Sequence, residues 1–135
     1  MARKTKKTKG IIATIKPNVW PYDVLLCVES TIEEIVQHIE VKKQYKLSDK
    51  ERDLFQARHF RQGRTLQLQN NAIVLWLRHK PVSPYTIAVL AHEAFHATDF
   101  ILDNAGLKLT NESDEAYAYL LDFIVREALY VCSKK

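Results

Sequence analysis

Apolar residues recur along the chain with two different periods, and the period separates the predicted strands from the predicted helices. Residues 22–28 (YDVLLCV) are almost continuously apolar over the length of a buried strand. Further on, alternating polarity over 64–69 and a β-branched, aromatic run over 72–78 flank Asn70-Asn71, a pair that tolerates positive φ. We therefore predict one early strand and, later in the chain, a β-hairpin that turns at the two asparagines.

Helical spacing and capping residues predict two helices before the hairpin. The first covers 32–41, where Ser30 or Thr31 is the N-cap and a glutamate follows three residues later. A shorter second helix covers 48–57. The apolar positions of the first segment fit one helical face, although their spacing drifts at the end of the segment.

Two long helices follow the hairpin. Ser83 as N-cap and Pro84 at the first helical position begin a helix that continues to about Asn104 and stops at Gly106, a suitable C-cap residue. The last helix runs to about residue 131, and its cap is one of three polar residues, Thr110, Asn111 or Ser113. The order of strand, helix, hairpin and two helices predicts an α+β domain with its helices partly segregated from a small mixed sheet.

Length and composition indicate one domain with a basic extension. The chain has 135 residues, of which 47% are apolar and 27% charged. Five of its 20 basic residues lie within 3–9 with no acid among them, so 15 basic and 16 acidic side chains remain elsewhere. We predict a flexible basic arm over 1–10 and a single, nearly neutral domain over 11–135. The arm can contact nucleic acid or another anionic surface.

The compartment follows from what the sequence lacks. It has no apolar run of about 18 residues, as a membrane span requires, and no secretory signal pattern at its N-terminus. Cys27 and Cys132 form no CxxC motif, and their default state is two reduced thiols. We therefore expect a cytoplasmic protein without a membrane span.

Candidate chemistry is concentrated in the motif HEAFH, residues 92–96, of the third predicted helix. Histidines at i and i+4 share one helix face, and zinc takes nitrogen ligands at about 2.0–2.1 Å in a tetrahedron, so His92 and His96 can fill two of its corners. Glu93 lies beside that face, where its carboxylate can act as general base on a metal-activated water. The apolar residues 87–91 indicate a buried helix, in which the imidazoles need a partner. The pattern predicts one zinc ion and hydrolytic chemistry.

A catalytic zinc site needs a third protein ligand. No histidine follows His96, which excludes patterns with a downstream histidine such as the metzincin string. Asp99 lies too far along the same helix to close the tetrahedron. The remaining acids are Glu112 and Glu115, one turn apart at the start of the last helix. We expect Glu115 to be the more buried of the two, because small and aromatic residues follow it, so Glu115 is the preferred ligand and Glu112 the alternative.

The motif helix and the helix after it, which reads EAYAYLL from Glu115, together resemble the gluzincin-type zincins over about residues 83–125. In outline the chain is similar to the ImmA/IrrE-type peptidases of mobile elements and to small metallopeptidases of bacteriophages. The resemblance implies a minimal zincin fold, with the hairpin packed on the motif helix and a C-terminal ligand helix. It implies His92, His96 and Glu115 as zinc ligands and Glu93 as general base. Ala116 stands where thermolysin-like enzymes carry an aspartate.

The sequence gives less support for a role of other side chains in the site. Tyr119, one turn after Glu115, is a candidate oxyanion donor, although a packed core position is the simpler interpretation for it and for Tyr117. Three aromatic residues are expected in the core, namely Trp20, Trp76 and Phe95. Three further histidines have no partner at motif spacing and are expected at the surface or in the hairpin, namely His38, His59 and His79.

Three functions are compatible with these features, and the first two are the stronger candidates. The first is a zinc-dependent peptidase, a hydrolase that acts on an extended peptide docked against the 72–77 strand. The second is a non-catalytic phage structural or accessory protein, cytoplasmic or virion-associated, whose zinc only stabilises the fold and whose arm binds a partner or nucleic acid. A third and weaker idea is nucleic-acid binding as the main role, which predicts a steep salt dependence that disappears without residues 1–10.

Overall fold

One four-stranded sheet organises the chain in the computed structural model, which describes residues 10–17, 20–56 and 62–134. The strands are β1 (Ile11–Ile15), β2 (Val24–Val28), β3 (Gly63–Gln67) and β4 (Ile73–Leu77). The predicted α+β class, the early strand and the hairpin are confirmed. The short strand β1 was not predicted from its apolar run. Most of the basic arm (residues 1–9) and His59 lie outside the described residues.

The strand order is β1-β2-β4-β3, so the hairpin inserts its second strand into the middle of the sheet. β2 and β4 are parallel, whereas each pairs with its outer neighbour antiparallel. All five residues of β4 are buried, as is typical of a strand covered on both faces. The expectation that the 72–77 strand offers a docking edge is therefore wrong, because β4 has a strand on each side and β3 is the edge strand of the hairpin.

Four α-helices occur in the described segments, at the predicted places. They are α1 (Ile32–Gln37), α2 (Asp49–Gln56), α3 (Pro84–Asn104) and α4 (Asp114–Ser133), and α1 continues directly into a π-helical turn, His38–Lys42. The π-helical turn accounts for the drift of apolar spacing at the end of the first predicted helix, since it adds a residue to the turn. None of the helices in the described segments is both long and apolar enough to cross a membrane.

The start of α1 and both ends of α3 use the capping residues expected from the sequence. Thr31 forms a reciprocal capping box with Glu34, and Ser83 does the same with Thr86 at the start of α3. Gly106 has φ 84° just after α3, a left-handed conformation that glycine adopts without strain. Ser113 precedes α4 but makes no side-chain cap bond to it.

The sheet separates two layers of helices. Alternate side chains of the strands pack against α3 and α4 on one face, and the intervening ones, such as Leu25 and Val74, pack against α1, the π-helical turn and α2 on the other. Cys27 and Cys132 are buried in opposite layers and are free thiols, as expected. Burial raises the pKa of both thiols, which disfavours the reactive thiolate.

The aromatic residues divide between core and surface differently from the prediction. Trp76 is buried and donates a hydrogen bond from Nε1 to the carbonyl oxygen of Ser30, and Tyr117 is buried as well. Phe95 is 40% exposed and Tyr119 is 71% exposed, so the expectation of core positions for these two is wrong. Both lie on helix faces turned away from the sheet, because each long helix buries only one side.

Candidate metal site

The two motif histidines meet on the outer face of α3. Their Nε2 atoms are 3.3 Å apart and their rings lie edge to face, with centroids 4.9 Å apart. Two nitrogen ligands at about 2.0–2.1 Å from a tetrahedral zinc ion are separated by about 3.3 Å. The side chains of His92 and His96 therefore already have the separation that two corners of a zinc site require. Without a metal, the same separation allows one ring to donate a hydrogen bond to the other.

Burial does not explain this pairing. His92 and His96 are both exposed, as are Ile87, Ala88 and Ala91 ahead of the motif. The expectation of a helix buried around the motif is wrong, because the residues that pack on the sheet lie on the opposite side of α3. The case for a metal consequently depends on the spacing of two accessible imidazoles, and not on the cost of burying them.

Glu93 occupies the boundary between α3 and the edge strand. Its side chain is buried, with 7% of the residue exposed. The hydroxyl of Thr65 lies 2.7 Å from Oε1 of Glu93 and 2.9 Å from its backbone carbonyl oxygen. Thr65 stands opposite Leu75 in the hairpin register, and Leu75 belongs to the core that faces α3. The hairpin thus supplies a donor that orients the predicted general base.

Gly63 sets how closely the edge strand approaches that carboxylate. A Cβ atom at Gly63 would lie 2.9 Å from Cγ of Glu93 and 2.9 Å from Cγ1 of Val89, closer than carbon atoms normally pack. The strand and the helix bound an open groove of about 400 Å³, lined by Gln62, Gly63, Tyr85, Ala88, Val89, His92 and Glu93. One predicted ligand and the predicted base therefore share a groove with the edge of the sheet.

The third predicted ligand is not brought to the histidines. Within the described segments, no group of three or more His, Cys, Asp or Glu side chains is arranged to hold a metal ion. Glu112 and Glu115 are both exposed, so the expectation that Glu115 is the more buried is not met. The buried face of α4 carries Tyr117 and Leu120, and Glu115 lies on the other side of the helix.

The start of α4 nevertheless lies near the motif. The hydroxyl of Tyr117 contacts Oδ1 of Asp99 at 3.3 Å and the carbonyl oxygen of Leu107 at 3.1 Å. Burial raises the pKa of Tyr117, and the negative charge of Asp99 adds to the effect. Since Asp99 is one helical turn beyond His96, the first turn of α4 stands next to the turn of α3 that follows the histidines.

From the sequence, the histidines and Glu93 were candidate site residues, whereas Thr65 and Gly63 were not. Both belong to β3, and the alternation of side chains along a strand places positions 63 and 65 on one face of it. The contact of that face with Glu93 can be recognised only when α3 is known to pack against it. No family model, curated protein sequence or solved structure matches the chain, so any assignment of function depends on the residues described above.

Proposed function

We propose that this chain is a zinc-dependent peptidase of the HExxH type. The observation that carries the proposal is the 3.3 Å separation of the Nε2 atoms of His92 and His96. That distance suits two ligands of one tetrahedral zinc ion. The adjacent Glu93 and the groove beside the edge strand add a base and a place for a substrate.

Glu115 is the proposed third ligand. It is exposed, and among the described residues its carboxylate makes no hydrogen bond or ion pair, so the side chain is free to change rotamer. The contact between Tyr117 and Asp99 holds the first turn of α4 beside the turn that follows His96. Glu112 is the alternative, in the turn that precedes α4.

Glu93 is the proposed general base. A bound zinc ion supplies a Lewis acid that acidifies water and polarises a carbonyl group. Glu93 accepts a proton as water adds to the carbonyl carbon of the scissile peptide bond, and it returns that proton to the amine nitrogen as the C–N bond breaks. Thr65 keeps the carboxylate oriented by its hydrogen bond to Oε1.

The proposed substrate is an extended peptide. In the described sheet, β3 pairs with β4 on one side and with no strand on the other. Unpaired backbone groups of an edge strand can bind a peptide as an added strand. A peptide bound along β3 passes the groove that contains His92 and Glu93.

A non-catalytic metal protein is the second candidate. It is favoured by the exposure of both histidines and by the fact that no acidic side chain of the described part of the chain joins them. In that case the zinc stabilises the fold or a contact with a partner, and the basic arm binds a partner or nucleic acid. In that case the role of Glu93 is structural, through its hydrogen bond with Thr65.

Zinc analysis of the purified full chain tests the proposal. We expect one zinc ion per chain, lost in His92→Ala and in His96→Ala and retained in His79→Ala, since His79 is exposed and lies outside the motif. Glu93→Gln should retain zinc and abolish hydrolysis of a mixed peptide library. Absence of zinc from the wild type rules out a metal site. Activity that survives in Glu93→Gln rules out the assigned base, and a zinc-loaded but inactive wild type favours the second candidate.

A further inference from the structure

A cavity of about 200 Å³ lies against the face of the sheet opposite α3, between the π-helical turn and the turn of the hairpin. Much of its lining is apolar and is provided by five residues of this layer, Leu25, Ile39, Leu68, Ala72 and Val74. An apolar cavity of about 150 Å³ is large enough to hold benzene. The cavity therefore has room for an apolar group the size of a leucine or phenylalanine side chain.

The polar part of the lining carries one positive and one negative charge. Lys43 donates a hydrogen bond from Nζ to Oγ1 of Thr14 at 2.7 Å, and this neutral partner leaves two of its three N–H groups available. Asp23 also lines the cavity, and its ion pair with Lys16 is long, at 4.0 Å, between side chains that are 46% and 78% exposed. Such a pair neutralises little charge.

Thr14, which holds the ammonium group of Lys43, and Asp23 lie on one face of the sheet and line the same cavity. Thr14 stands opposite Leu25 in the register of β1 and β2, and Asp23 precedes Leu25 by two residues, so both side chains are on the same face of the sheet. The cavity therefore presents a cationic group, held by Thr14, and an anionic group to one occupant, the charge pattern that complements the carboxylate and ammonium of a zwitterion.

An unusual backbone conformation shapes the side of the cavity that residues 38–45 form. The π-helical turn, His38–Lys42, is followed by Gln44 with φ 54°, a left-handed conformation that is uncommon outside glycine. The chain then reverses, and the backbone N–H of Tyr45 bonds to the carbonyl oxygen of Ile39 at 3.2 Å. As a result Ile39, Lys43 and Tyr45 all line the cavity. π-Helical turns and strained residues occur frequently at functional sites.

We propose that this cavity binds a free apolar α-amino acid such as leucine or phenylalanine. The side chain lies on the apolar floor, the carboxylate binds Lys43, and the ammonium group binds Asp23. The site lies on the other face of the sheet from His92 and His96. The proposal goes beyond the peptidase proposal and does not depend on it.

Isothermal titration calorimetry of the full chain with L-phenylalanine and L-leucine tests the proposal. Each titration is run with and without EDTA, because α-amino acids also bind zinc. We expect millimolar or tighter binding that EDTA does not change. Phenylalaninamide, which lacks the carboxylate, and 3-phenylpropanoate, which lacks the ammonium group, should each bind at least about ten-fold more weakly, which corresponds to about 1.4 kcal/mol.

Two variants and one control locate the site. Lys43→Met keeps the aliphatic stem and removes the ammonium group, and it should weaken binding at least about ten-fold. Lys42→Met makes the same charge change next to the cavity and should bind like the wild type, since Lys42 is not part of the lining. Ala72→Leu fills the floor and should abolish binding, while circular dichroism and the melting temperature report that the variant folds.

Several results overturn the proposal. They are no binding of either amino acid by the wild type, wild-type affinity in Lys43→Met, loss of binding in EDTA, and unchanged binding in a folded Ala72→Leu variant. Equal affinity for 3-phenylpropanoate and phenylalanine also overturns the assignment, because the site would then recognise an apolar carboxylic acid without using Asp23.

Discussion

The hydroxyl of Thr65 lies 2.7 Å from Oε1 of Glu93, so that the edge strand of the sheet holds the carboxylate of the HExxH motif. The two residues are 28 positions apart in the chain. Glu93 is buried, and burial of a polar side chain is costly unless it is hydrogen-bonded. The relationship connects the hairpin to the chemistry proposed for α3, and it can be tested separately from zinc binding.

Replacement of Thr65 should affect Glu93 and leave the histidines intact. Thr65→Val removes the hydroxyl and leaves the buried carboxylate without this donor, which should cost about 1–3 kcal/mol of unfolding free energy. Under the peptidase proposal, kcat falls while zinc content is retained. Thr65→Ser keeps the hydroxyl and should restore both properties in large part. Denaturant unfolding, metal analysis and peptide hydrolysis provide the three measurements, and equal behaviour of the valine and serine variants contradicts the orienting role.

Gly63 should not tolerate even a methyl group. In Gly63→Ala the new Cβ meets Cγ of Glu93 and Cγ1 of Val89, each at 2.9 Å, so the strand or the helix must shift. We expect a loss of about 1–3 kcal/mol in unfolding free energy, typical of overpacking. Removing the opposing methyl groups with Val89→Ala in the same chain should recover part of that loss.

Gly106→Ala is the matched control for Gly63→Ala. A Cβ at Gly106 meets nothing within 4 Å in the described structure, but φ is 84° there. The expected loss of about 1–2 kcal/mol comes from the backbone alone, and Val89→Ala should not relieve it. Thermal or denaturant unfolding of Gly63→Ala and Gly106→Ala, each with and without Val89→Ala, separates steric overlap from backbone strain. Rescue of Gly106→Ala by Val89→Ala would contradict this separation.

Glu115 and Glu112 are the two candidates for the third zinc ligand, and alanine variants distinguish between them. If Glu115 closes the site, Glu115→Ala should weaken zinc binding at least about 100-fold, beyond the 10–100-fold range of residues that only support ligands. Glu112→Ala removes the same charge from a neighbouring exposed position and should change affinity little. Competition with a chelating dye measures both constants. The reverse result assigns the ligand to Glu112, and no effect of either variant excludes a ligand from this segment.

Glu51 should make stability depend on pH. The residue is 2% exposed, and its carboxylate accepts hydrogen bonds from the backbone N–H groups of Ser48 and Gln69 and from the hydroxyl of Tyr45. Burial acts to raise the pKa of Glu51, but these hydrogen bonds outweigh burial and lower the pKa below its usual value of 4.5.

Because the folded-state pKa of Glu51 lies below the unfolded value, the protein gains stability from this group above about pH 4.5 and loses it as the pH falls through the folded-state pKa. Glu51→Gln should flatten the acid limb of a plot of unfolding free energy against pH, and it should cost about 1–3 kcal/mol at neutral pH. Glu33→Gln, at an exposed position of α1, is the control for loss of one carboxylate. An unchanged acid limb in Glu51→Gln contradicts the assignment.

The sequence by itself determined the local features of this protein. The hairpin turn at Asn71, which has φ 70°, and the start of α3 at Ser83 follow from turn and capping residues that act within a few positions. The pairing of His92 with His96 is likewise a consequence of helical spacing. These features depend on neighbours along the chain, and for that reason periodicity and capping rules predicted them.

Only the tertiary structure decided which distant segments meet. It placed β4 in the middle of the sheet and left β3 at the edge, joined Thr65 to Glu93, and turned Glu115 to the solvent side of α4. An apolar period shows that a segment has a buried face, but it does not identify the segment that covers that face. The partner is selected by the packing of the whole core, in which strand order, register and helix rotation are determined together.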